Sequence, residues 1–107
     1  MTGPQSGIAA RIDGRVDAEL PLLAPHLRNW LAAHRTTPRE IQASSDPEGA
    51  EHLQVWLVTD HTGAEDSSSR VVYEPATDAF GIVIDLENGV SWFQGSDDSL
   101  VAAIENM

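Results

Sequence analysis

Apolar side chains change their spacing once along this chain. Between Asp17 and Arg35 they recur at Leu20, Leu23, Leu27, Trp30 and Leu31, intervals that line one face of a helix. Asp17 is a candidate N-cap. Pro21 and Pro25 allow two versions. The helix starts near Asp17 and bends at Pro25, or a turn precedes a helix that begins at Pro25. Thr36-Thr37-Pro38 ends it in either case. Residues 1–15 mix glycine, proline and charge, which predicts a loosely ordered start with one helical turn over 8–12.

After Pro38 the period falls from 3.6 to 2. A short strand is predicted over 39–45, with Ile41 and Ala43 on one face. Asp46-Pro47-Glu48-Gly49 is a turn signal. Residues 51–59 follow as the best strand. Leu53, Val55 and Leu57 share one face; Gln54, Trp56 and Val58 share the other. Apolar residues on both faces mark a central position. A polar loop is expected over 60–68, then a strand over Arg70–Glu74 and a turn at Pro75–Asp78. The next strand is Ala79–Leu86, with Phe80, Ile82, Ile84 and Leu86 opposite Gly81, Val83 and Asp85. Asn88-Gly89 predicts a tight hairpin into a strand over Val90–Gln94. Gly95 and Ser96 are expected to end the sheet. Ser96 or Asp97 would cap a last helix whose stripe is Leu100, Ala103, Ile104 and Met107.

Short connections between strands imply antiparallel pairing. The expected fold is therefore α+β: an antiparallel meander of four to five strands flanked by an N-terminal and a C-terminal helix. The whole chain, 1–107, reads as one domain. Two helices cover one side of such a sheet and leave the other partly bare. Trp56, Val58 and Val83 are the residues expected there, and a bare apolar side invites a partner or a second copy of the chain as a homodimer.

Charge sharpens this picture. The net charge is −11, and every basic residue is arginine. Five arginines face four acids in the first 40 residues; only Arg70 faces the thirteen acids after them. The acidity thus belongs to the strand-rich part. Direct nucleic-acid binding requires clustered positive charge, and none is present. No apolar run reaches the roughly 18 residues of a membrane span, and the first residues lack a signal-peptide pattern, so a cytoplasmic protein is expected. The absence of cysteine removes disulfides, thiolate metal sites and cysteine nucleophiles.

Candidate chemistry is thin. His52, Asp60 and His61 lie near the ends of the best strand and form an alternative polar site. Asp60 beside His61 could orient an imidazole as a general base. No nucleophile elbow, zinc-protease helix or phosphate loop accompanies them, and no catalytic residue is assigned. His26 and His34 are eight apart, too far for a helical zinc pair. Glu65/Asp66 and Asp97/Asp98 lack the ligand spacing of a calcium loop. No metal or cofactor is implied. Trp56 and Trp92, if exposed on the strands, would be interface anchors, rimmed by Glu65 and Asp66.

The segment from Phe80-Gly81 through Asn88-Gly89 to Gly95-Ser96 and a short terminal helix resembles in outline the tails of many small bacterial proteins. Some of these are immunity partners of secreted toxins. The likeness spans about a quarter of the chain and carries no functional residue with it. The sequence therefore points to a non-enzymatic, bacterial, acidic module binding a basic protein, of immunity or chaperone type. The alternative is a small enzyme or ligand-binding domain using Asp60 and His61 beside a pocket.

Overall fold

A computed structural model describes residues 4–60 and 69–105. Its order is α1 (Pro4–Glu19), a 3₁₀ turn (Leu20–Leu22), α2 (Pro25–His34), β1 (Glu40–Ser44), β2 (His52–Leu57), β3 (Ser69–Glu74), β4 (Ala79–Asp85), β5 (Ser91–Asp97) and α3 (Leu100–Glu105). The mixed α+β class is as the periodicity implies.

The start of the chain departs from expectation. Residues 4–19 form a continuous helix rather than a loose segment. Its stripe is Ile8, Ile12 and Val16, spaced by four; Ile12 and Val16 are fully buried. Gly7 and Gly14 lower helix propensity by roughly 1 kcal/mol each relative to alanine. Burial of that stripe outweighs the penalty, as tertiary packing usually does for marginal helices. Pro21 then interrupts the ladder, because it has no N–H to donate to Asp17. The helix ends in a 3₁₀ turn and restarts with Pro25 at its first position. Of the two versions the sequence allowed, the second holds, and Asp17 lies inside α1 instead of capping a helix.

The five strands form a closed barrel in the order β1-β2-β3-β4-β5. Successive strands pair antiparallel. An odd number of alternating strands leaves the first and last pointing the same way, so the ring must close through a parallel contact. It does, at Ser44 opposite Trp92. The open, half-covered sheet is thereby corrected: the strands continue round until the bare face becomes an interior. Val83, expected on a bare side, lies inside with Val55, Leu57, Val72, Phe93 and Ala43. Trp56 and Val58 face the opposite way and pack under the helices with Ile12, Val16, Leu31, Tyr73, Phe80 and Leu100. The β2–β4 part of the sheet thus serves two cores by simple alternation, whereas β1 and β5 contribute to the interior alone.

Glycine permits the tightest part of the ring. Register slips between Gly81 and Val83, where β5 carries an extra residue, and Gly95 adopts φ +118° at this bulge. A Cβ on Gly81 would sit 2.4 Å from the Gly95 carbonyl and 2.5 Å from the Phe93 ring. Gly95 does not end the sheet as its identity suggested; the bulge lets β5 run on to Asp97. The cap of α3 is then Ser99, whose Oγ accepts from Ala102 N at 3.1 Å, in place of Ser96 or Asp97. The Glu19 carboxylate, at the end of α1, accepts from the Leu100 and Val101 amides at 3.3 and 3.2 Å. A negative side chain from one helix thereby satisfies the N-terminal donors of another.

Candidate functional site

Side-chain parity places three polar groups on the inward face at one mouth of the barrel. Arg70 follows the parity of Val72, Asp85 that of Val83, and Ser91 that of Phe93. Arg70 Nη2 lies 2.5 Å from Asp85 Oδ1, and Ser91 Oγ donates to the same oxygen at 2.9 Å. Arg70 Nη1 is 4.0 Å from Asp60, which also takes a 2.9 Å bond from Arg39. The side chain of Arg70 is only 12% exposed, and its Nε is buried with no partner among the described residues. A guanidinium half-enclosed in this way requires its carboxylates nearby, since an unpaired buried charge is costly. The mouth is a neutral, alternating ion network.

A second network fastens α1 to the β3–β4 turn. The Tyr73 hydroxyl donates to Asp78 Oδ1, and Arg15 Nη1 donates to the Asp78 carboxylate and carbonyl at 3.1 and 2.7 Å. The Arg15 guanidinium also lies 4.8 Å from the centre of the Phe80 ring. The hydrogen bond from Tyr73 and the charge of Arg15 hold the Asp78 carboxyl below its ordinary pKa. Burial, together with the bond to Asp78, pushes the Tyr73 phenol up. Asp78 has φ +52°, an uncommon conformation that aspartate tolerates at a turn.

Asp46, Glu48, Glu51 and Glu87 lie on two loops at the parallel seam. Closure sets the end of β1 against the start of β5, so the β1–β2 loop meets the β4–β5 turn there. Asn88 Nδ2 ties the two by donating to Pro47 O at 3.1 Å. Asp46 orders the first loop by accepting from the Ala50 and Glu51 amides at 3.0 and 2.8 Å, and these two bonds lower its pKa. Gly49 (φ +80°) packs so closely that a Cβ would come within 2.9 Å of Val90. Between the loops runs a groove of about 220 Å³, lined by Gln42, Ser44, Glu48, His52, Val90 and Ser91 among others. Glu48, Glu51 and Glu87 are exposed around it and have no cationic partner among the described residues. Arg15, Arg35, Arg39 and Arg70 are all engaged by carboxylates elsewhere.

The residues singled out from sequence scatter over this framework. His52 begins β2 at the groove, whereas Asp60 lies beyond its far end. Eight residues of extended chain separate them by about 26 Å, so they do not form one site. His61, Glu65 and Asp66 fall outside the described residues. Trp56 is corrected from exposed anchor to core residue: at 4% exposure it fills the space under the helices. Trp92 is half-buried beside Ser44 at the seam. His34 stacks on Trp30 with centroids 4.6 Å apart, and its Nδ1 lies 2.7 Å from the Trp30 carbonyl, within hydrogen-bond reach. Sequence reasoning missed Arg70 and Ser44. The signal for Arg70 was a lone arginine at an inward strand position. Ser44 gave none, because its neighbour across the seam, Trp92, is 48 residues away.

Among the described residues, no helix is long and apolar enough to cross a membrane, and no group of three or more His, Cys, Asp or Glu residues is placed to hold a metal ion. Compared with family models, curated proteins and solved structures, the chain finds no match, so the geometry carries the functional reading.

Proposed function

We propose that this chain is a non-enzymatic interaction module that receives a basic protein on the acidic seam of its barrel, an immunity-type or chaperone-type role. One observation carries the reading. The arginines of the ion networks are neutralised within the fold, while Glu48, Glu51 and Glu87, on two loops joined by the Asn88–Pro47 bond, have no cationic partner among the described residues. A pole of one sign steers an oppositely charged partner and raises its association rate. The loops that form it are internally bonded, so little ordering cost accompanies docking.

The enzyme alternative draws less support. Asp60 is drawn into ion pairs with Arg39 and Arg70, which favour a fixed carboxylate over a mobile base.

The test uses a partner captured from the native host at low salt. Its affinity is measured for the parent chain and for two variants of equal charge, Glu48→Gln/Glu87→Gln and Asp98→Gln/Glu105→Gln. The seam pair should weaken binding at least about tenfold more than the control pair, and added salt should erase the difference. Equal losses from both pairs would show that only net charge matters and would sink the seam reading.

A further inference from the structure

We infer that the seam groove accepts one basic side chain of the partner, its ammonium or guanidinium group entering between Ser44 and Glu48. This rests on the reading above and names its contact. Two independent features meet in the groove. The first is Glu48, an exposed carboxylate without a cationic partner among the described residues. The second is Ser44, a residue only 3% exposed that lines the groove and whose hydroxyl makes no hydrogen bond among the described residues. Among the described residues Arg70 Nε is the one fully enclosed side-chain polar atom without a partner, so the Ser44 hydroxyl, on an otherwise buried residue, opens onto the groove and can accept a hydrogen bond there.

The lining decides what that ligand is. Glu48 offers only acceptors, the Gln42 amide and the His52 imidazole each offer one, and Ser44 can accept as well. A group rich in donors and positively charged complements this set; an anion is repelled by Glu48. Ser91, also in the lining, already donates to Asp85 and leaves that set unchanged. The groove, at about 220 Å³, has room for a basic head group and part of its stem but falls short of the usual span of small-molecule sites. Its floor is fixed: the contact between Gly49 and Val90 leaves no space for a Cβ, and Asn88 locks the turn to Pro47.

The experiment is a ¹⁵N–¹H NMR titration of the full chain. The probes are blocked seven-residue peptides of glycine and serine carrying one central arginine, lysine or norleucine, with octa-arginine as a separate arm. The arginine and lysine peptides should shift the amides of Ser44, Gly49, His52 and Val90 in a saturable way, and the norleucine peptide should not. Glu48→Gln, on an exposed loop, should weaken the arginine peptide about tenfold, and Ser44→Ala by about threefold to tenfold, with the other resonances unmoved. If octa-arginine binds but is indifferent to Ser44→Ala, or moves both loops without focus on the groove, the single-side-chain pocket is overturned while the acidic seam stands. If octa-arginine fails to bind at low salt, both fall.

Discussion

The outer surface of this barrel is treated in two ways. Over β3, β4 and the end of β2 it is apolar and covered, with Tyr73, Phe80 and Trp56 under α1, α2 and α3. Over β1 and the start of β2 it is polar and bare: Gln42, His52 and Gln54 are exposed, and Ser44 lies at the seam. Away from the polar mouth of Arg70, Asp85 and Ser91, the inward residues of both regions are apolar, as a filled barrel interior demands. The difference lies only in the outward residue of each pair. Stability is therefore concentrated on the helix-clad side, while the outward residues of the seam side can vary at little cost to folding, as the proposed recognition role requires.

This contrast makes a graded set of expectations. Phe80→Ala should have the largest effect. The ring is fully buried between Tyr73 and Arg15, and its loss should cost about 3–5 kcal/mol in a denaturant titration. A loss under 1 kcal/mol would mean that the helix layer is not the stabilising side. Gly81→Ala follows. The added methyl collides with the Gly95 carbonyl and the Phe93 ring, and thermal unfolding should register a loss of about 2 kcal/mol. Glu19→Gln removes the charge at the start of α3 and should cost about 1 kcal/mol, with faster amide exchange at Leu100 and Val101.

Acid should act on the clad side through Asp78. Its carboxyl is held below the ordinary value, so the unfolded chain binds that proton first as pH falls. The stabilisation is present above the ordinary aspartate pKa and disappears as pH drops through the depressed folded value. Asp78→Asn should flatten that limb of a stability–pH curve; an unchanged limb would assign acid sensitivity to other carboxylates. The smallest effect is expected at the seam, where Glu48→Gln should alter stability by no more than about 0.5 kcal/mol. A larger loss there would blur the division between the structural side and the proposed recognition side.

Residues 52–59 and 79–85 were legible because alternation there is nearly complete and both faces are apolar. The start of the chain was harder to read. Ile8, Ile12 and Val16 keep helical spacing, but Pro4, Gly7 and Gly14 argue locally against a helix, and only the layer beneath them settles the contest. Gly95 was misleading for the opposite reason. Glycine both ends strands and permits bulges, and the choice depends on the ring of Phe93 across from Gly81.

By itself, then, the sequence determined the strand segments, their antiparallel succession, the two apolar faces and the concentration of net negative charge in the later residues. These follow from periodicity and composition, which are local properties. Closure of the ring, the burial of Trp56 and Arg70 and the meeting of the Asp46–Glu51 loop with the Asn88-Gly89 turn were decided by tertiary structure. Each depends on a contact between residues far apart in the chain, above all Ser44 with Trp92. Only that contact converts two acidic loops into one grooved surface, because only closure sets the end of the first strand against the start of the last.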